Sequence, residues 1–142
     1  MSEREKKGGY LTESQQYVLK LRFEGYFQEE IAKKLGTTRQ NVSLIERRAR
    51  ENVKKAERTL MAYRRLQTVA EVKLNPDTHL VDVPRKLIDA ADLVGVKINV
   101  DFVLVYKMIR DQASESVSGT QVIKPILLRL LNNGDVYVER VS

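Results

Sequence analysis

Residues 28 to 47 read Gln-Glu-Glu-Ile-Ala-Lys-Lys-Leu-Gly-Thr-Thr-Arg-Gln-Asn-Val-Ser-Leu-Ile-Glu-Arg, and few folds accommodate that order. Ile31 and Leu35 fall four apart and Val42 and Ile45 three apart, so each pair forms one apolar face of a helix. Gly36 between them suits the left-handed conformation that ends a helix, and the Thr38 hydroxyl can cap the next one. Ala32 is small enough for two helix backbones to approach closely. Two helices that meet across a tight turn with their apolar faces inward make a helix-turn-helix. A first helix precedes it: Thr12-Glu13-Ser14-Gln15 reads as a capping box, Gly25 ends the helix, and Val18, Leu19 and Phe23 can share one face. Residues 1 to 9 read as a frayed tail.

The third helix meets no proline or glycine before Asn75-Pro76. Along it Val42, Ile45, Ala49, Val53, Ala56, Leu60, Tyr63, then Leu66 or Ala70, and Leu74 recur at spacings of three and four, which predicts one buried stripe on a long helix. Past Pro76 the pattern changes to a strand over His79 to Val83, a helix from Pro84 to Leu93, a strand over Val96 to Val100 and a helix from Asp101 to Gln112. Gln121 to Leu131 and Asp135 to Val141 then flank Asn132-Asn133-Gly134, a hairpin signal, with Pro125 confining the first strand to an edge or to the residues after it. The expected class is α+β. Residues 1–75 form a helix-turn-helix domain with a long linking helix, and residues 76–142 a small α+β domain.

Charge is concentrated where the motif lies. Basic and acidic side chains number seven and six in residues 1–38, ten and four in 39–75, and eight and nine in 76–142, an excess of +1, +6 and −1. A positive field confined to one segment suits a polyanion whose condensed counterions it can release. There is no cysteine, which excludes disulfides, thiolate nucleophiles and cysteine-ligated metal and fits a reducing interior. No apolar run approaches the roughly 18 residues of a membrane span, and no apolar segment follows the basic residues of the N-terminus. A cytoplasmic protein without membrane contact is expected.

In the first two turns of the third helix Arg39, Gln40, Ser43, Leu44 and Arg47 point outward while Val42 and Ile45 point inward. Arg39 suits a bidentate contact to guanine and Gln40 one to adenine; Ser43 can serve several bases and Leu44 can pack on a thymine methyl. Arg47, Arg48, Arg50, Lys54 and Lys55 lie farther along and suit phosphates. Thr37 and Thr38 offer hydroxyls and amides to the backbone at the helix N-terminus. Arg58, Arg64 and Arg65 lie beyond reach of the same groove and are expected to be solvated or paired with acidic groups.

These segments resemble known proteins. The N-terminal half looks like the promoter-reading helix-turn-helix of sigma factors and related response regulators. Leu11-Thr-Glu-Ser-Gln, Gln28-Glu-Glu-Ile-Ala, Asn41-Val-Ser-Leu-Ile-Glu-Arg-Arg-Ala, Val83-Pro-Arg-Lys-Leu-Ile-Asp-Ala-Ala-Asp and Gly134-Asp-Val-Tyr-Val together resemble the archaeal Tfx family. That resemblance implies double-stranded DNA as partner, transcriptional regulation and an archaeal source. Phe27 departs from the pattern, which usually places Ser or Thr there as the cap of helix two; Glu29 and Glu30 can offset the loss at the positive helix end, and Phe27 can bury against helix one.

Other classes are weaker. His79 is the single histidine, and beside Asp77 and Asp82 it reads as structural. Asp89 and Asp92 share a helix face and could mimic a metal pair, but a solvated face near Lys86 accounts for them. No enzyme, metal or cofactor is expected. The alternative is an adaptor whose helix-turn-helix docks on a protein, against which the local +6 speaks. The stripe from Ala56 to Leu74 can pack on the C-terminal domain or on a second subunit, and a homodimer is favoured because two readers cover two half-sites. The C-terminal domain serves as a sensor, a dimerisation module or both. An unidentified small ligand there has no signature beyond Arg85, Lys86 and Lys97, which could hold an oxyanion.

Overall fold

The computed structural model describes residues 7–141, so the first six residues of the expected tail lie outside the described residues. Residues 7–8, expected to belong to a frayed tail, are helical, and three helices follow: α1 (Glu13–Phe23), α2 (Gln28–Leu35) and α3 (Arg39–Gln67). The chain divides into two compact units, Met1–Met61 and Ala62–Ser142, so the division falls inside α3, earlier than the break read at Asn75-Pro76.

In the first unit the capping box at α1 is formed: the Gln15 amide donates to Thr12 Oγ1 at 3.1 Å and the Thr12 amide to Gln15 Oε1 at 3.1 Å. Val18, Leu21, Ile31, Ala32 and Val42 form the core, with Tyr26 and Ile45 packed against it. Two expected core residues stay out of it. Leu35 is 39% exposed at the end of α2, and Phe23 is 77% exposed because Leu21 rather than Phe23 occupies the inner face of α1 together with Val18. Gly36 ends α2 at φ +67°, and the Thr37 amide closes the turn on the Ala32 carbonyl at 3.0 Å.

The second unit begins with the last turns of α3. The helix expected to reach Leu74 stops at Gln67, and β1 (Thr68–Leu74) follows at once. Ala70 and Leu74 are four apart, a spacing compatible with a helix or with every second position of a strand. Val72 between them decides it: residues 70, 72 and 74 turn inward while Val69, Glu71 and Lys73 face out. β4 (Ile126–Leu131) is central in a three-stranded antiparallel sheet of order β1-β4-β5, with β5 at Val136–Arg140. Leu74 pairs with Ile126 and Val72 with Leu128.

Val72, Leu74, Ile126, Leu128, Leu130, Val136 and Val138 bury one sheet face against α4 (Val83–Val94) and α5 (Phe102–Gln112), which contribute Val83, Leu87, Ala91, Val105 and Ile109. A short pair, β2 (Val117–Ser118) with β3 (Gln121–Val122), completes the unit. Two expected strands are corrected. His79 to Val83 forms only a bridge at His79 and a 3₁₀ turn over Leu80–Asp82 before α4 begins. Residues 96–100 form no strand, although Val96, Ile98 and Val100 pack on the core. The hairpin tip holds this segment instead. Asn99 donates its amide to the Gly134 carbonyl at 3.1 Å, and a Cβ on Gly134 would meet the Lys97 carbonyl at 2.2 Å. Pro125 interrupts the expected strand between β3 and β4, and Asn132-Asn133-Gly134 makes the turn into β5.

Candidate nucleic-acid interface

The start of α3 is set by its cap. Thr38 Oγ1 accepts the Asn41 amide at 3.1 Å, and Thr37 Oγ1 accepts Asn41 Nδ2 at 3.1 Å. The two hydroxyls therefore sit at the positive helix end as expected. The Thr37 amide does not, since it is committed to Ala32.

From that cap Arg39, Gln40, Ser43 and Arg47 are exposed and Leu44 half-buried, while Val42 is fully buried and Ile45 partly so. The outward register read from the spacing is observed for Arg39, Gln40, Ser43 and Arg47 and the inward one for Val42, whereas Leu44 is covered to the same degree as Ile45. Arg48, Lys54 and Lys55 are exposed. At 100° per residue Arg39, Ser43 and Lys54 fall within about 60° of one another around the helix, whereas Arg48 lies roughly opposite Arg39.

Arg50 is different. Its Nε donates to Glu46 Oε2 at 2.8 Å, so this expected phosphate contact is already engaged within the protein. Glu46 is buried at 8% exposure, and the sequence reading missed it. Its Oε1 accepts Gln28 Nε2 at 3.0 Å, and Arg22 Nε lies 2.9 Å from the same oxygen as an ion pair without hydrogen-bond alignment. Burial alone would raise the Glu46 pKa; the hydrogen bonds from Gln28 and Arg50 and the charges of Arg22 and Arg50 outweigh it and hold the carboxyl below its ordinary range. The signal was present: position 46 follows Val42 by four and precedes Ala49 by three, which puts a carboxylate on the inward stripe.

Phe27 caps α2 without a side-chain oxygen. Its amide donates to Glu30 Oε1 at 3.0 Å, and its ring is 70% exposed rather than buried against α1. Arg22, Phe27, Gln28, Glu29 and Arg39 line a cleft of about 330 Å³.

Beyond Ala49 the stripe of α3 expected to be buried is exposed among the described residues: Val53 is 36% exposed, Leu60 46%, Tyr63 58% and Leu66 85%. In the second unit Arg65 pairs with Glu139, as expected of an arginine that meets an acidic group, whereas the Arg64 guanidinium lies 3.7 Å from the centre of the Tyr137 ring and so stacks on an aromatic face instead. Arg129, 8% exposed in the middle of β4, donates to Glu139 at 2.6 Å and to Glu71 at 3.0 Å. The hydrogen bond from Arg65, against an opposing burial effect, and the contacts of Arg129 lower the Glu139 pKa.

Both ring nitrogens of His79 meet a partner. Nδ1 accepts the Val81 amide at 3.1 Å, and Nε2 lies 3.2 Å from Thr120 Oγ1. Of Arg85, Lys86 and Lys97, Lys97 lines a cleft of about 280 Å³, with Asp92, Ile88, Ile98 and Phe102 among its other walls. No helix among the described residues is long and apolar enough to cross a membrane.

Residues 9–55 match the family profile described as sigma-70, region 4, and residues 56–138 the one described as DNA-binding protein Tfx, C-terminal. A protein of Methanocaldococcus jannaschii named "Putative transcriptional regulatory protein" is 39% identical, over 91% of this chain and 94% of its own. The protein named "DNA-binding protein Tfx" of Methanothermobacter thermautotrophicus is 31% identical, over 94% of this chain and 96% of its own.

Proposed function

This chain belongs to the Tfx family of DNA-binding proteins, and from that membership we propose that it is a transcriptional regulator that binds double-stranded DNA sequence-specifically. The observation that carries the reading is the capped N-terminus of α3 with Arg39, Gln40, Ser43 and Arg47 outward on a helix holding nine basic and three acidic side chains. α3 lies in the major groove: Arg39, Gln40, Ser43 and Leu44 meet base edges, and Thr37, Thr38, Arg47, Arg48, Lys54 and Lys55 meet phosphates. Arg50 is left out of this set because Glu46 holds it.

The reader acts as a homodimer in the cytoplasm. Support for the dimer comes from the exposed apolar positions Val53, Leu60, Tyr63 and Leu66 on α3, which a second copy of the helix would cover. The cleft beside Lys97 is the seat for a small ligand in the second unit, and native mass spectrometry of the purified chain would detect a retained one; a bare mass under all gentle conditions tells against it.

The test of the main reading is selection of duplexes from a randomised pool, followed by titration of the selected duplex and of poly(dI-dC) at several salt concentrations. The expected result is enrichment of one motif and a log-log salt slope of about −0.9 per neutralised phosphate. Absence of any enriched motif would refute sequence specificity, and a flat salt slope would favour the protein-docking alternative.

A further inference from the structure

Resting on the DNA-binding reading above, we infer that Glu46 is a positioning residue that sharpens the specificity of this reader, because it withholds two arginine charges from the DNA backbone. Residues 39 and 50 are separated by eleven positions, so at 100° per residue Arg50 returns to within about 20° of Arg39 around α3. Arg50 therefore stands on the reading side, where the sequence expects a phosphate contact. Its guanidinium is turned to Glu46 at 2.8 Å.

Arg22 is the second cation. It lines the cleft beside Arg39, yet its Nε is 2.9 Å from Glu46, and its terminal nitrogen donates to the Tyr26 carbonyl at 3.0 Å. Gln28 lines that same cleft and donates to Glu46 at 3.0 Å. One buried carboxylate thus receives a partner from each of α1, α2 and α3.

Two consequences follow. A buried charge is retained only while it is paired, so the carboxylate and its arginines hold one another and fix the angle at which α3 leaves the other two helices. Arg39 and Gln40 need that angle for bidentate base contacts. The second consequence concerns charge. Sequence-independent affinity grows with each cation set against a phosphate. By engaging Arg22 and Arg50, Glu46 lowers affinity for every sequence while the base contacts are kept, which widens the gap between target and random DNA.

The experiment compares the full chain with Glu46→Gln, Arg50→Gln and Lys54→Gln. Anisotropy titrations use the selected duplex and poly(dI-dC) over about 50–200 mM salt, the range in which phosphate contacts register strongly. Thermal melting by circular dichroism checks folding. Glu46→Gln is expected to steepen the poly(dI-dC) slope by about 0.9 to 1.8 and to tighten that binding roughly eightfold per released cation at 0.1 M salt. The ratio of selected to random affinity falls. A residue that merely supported folding would lower both affinities together.

Arg50→Gln is expected to leave the slope unchanged, while Lys54→Gln makes it shallower by about 0.9. Should Glu46→Gln fail to fold, this pair decides. Equal shallowing by Arg50→Gln and Lys54→Gln, or an unchanged affinity ratio in a folded Glu46→Gln, overturns the inference while the DNA-binding reading stands. If the natural chain prefers no duplex over poly(dI-dC), both fall.

Discussion

Ile31→Ala tests the scaffold that presents the reading helix. Ile31 is fully buried in a core of five buried side chains, with Val18, Leu21, Ala32 and Val42. The substitution removes three carbon atoms at about 0.8 kcal/mol each, and the cavity adds to this, so a loss of roughly 3 to 4 kcal/mol is expected. The unit it belongs to spans residues 1–61. At roughly 0.05–0.15 kcal/mol per residue such a unit has about 3 to 9 kcal/mol in all. The substitution therefore removes a large share of its stability, and its melting temperature should fall by roughly 15 to 25 °C. The second unit has a separate core around Leu74, Ile126 and Leu128 and should keep its own stability.

Amide hydrogen exchange resolves the two, with protection lost across α1, α2 and the first turns of α3 and kept across β1, β4 and β5. A saturating selected duplex at a hundredfold excess over Kd should restore about 2.7 kcal/mol to the first unit. A loss under about 1 kcal/mol would mean that Ile31 is not a core anchor, and equal loss of protection in β4 would mean that the two cores are not separate.

Four further outcomes are expected. Thr38→Ala removes the hydroxyl that receives the Asn41 amide and should cost about 1 kcal/mol, measured by urea unfolding, whereas Thr38→Ser should restore most of it. Glu46 and Glu139 both have lowered folded pKa values, so each contributes stability above the ordinary glutamate pKa of about 4.3 that is lost as pH falls through the folded value. Urea midpoints should drop below that pH in both units, and Glu139→Gln should flatten the drop in the second unit alone. Leu60→Glu puts a charge on the uncovered stripe and should yield a monomer in sedimentation velocity; an unchanged dimer would move the interface elsewhere. Lys54→Ala should weaken binding to selected and random duplexes by the same factor in salt titrations.

Much of this molecule can be read from its residues. The capping box at Thr12, the turn at Gly36, the cap at Thr38, the hairpin at Asn132-Asn133-Gly134 and the inward register of Val42 all follow from local chemistry, because neighbours within four positions decide them. Misreadings arise where distant partners decide. Residues 68–74 carry apolar positions compatible with both periods, and only β4 alongside makes them a strand. Val96, Ile98 and Val100 alternate like a strand but find no ladder, since the hairpin tip at Gly134 meets that segment instead. Phe23 and Phe27 look like core residues by type, yet the small core of the first unit fills without them. At the interface the outward set of α3 was legible from helical geometry. The pairing of Arg50 with Glu46, four positions away, was legible in the same way; that Glu46 also takes Arg22 and Gln28 was not, because they are held on other helices.

The first turns of α3 are proposed to read bases. The most direct measurement is a set of binding titrations of the natural chain and Arg39→Ala on the selected duplex and on duplexes carrying each single base-pair substitution. The expected result is that Arg39→Ala loses about 1 to 3 kcal/mol on the selected duplex and becomes indifferent to substitution at one base pair, discriminating as before elsewhere. Equal weakening on every duplex, with discrimination intact at all positions, would contradict the claim and reduce Arg39 to a phosphate contact.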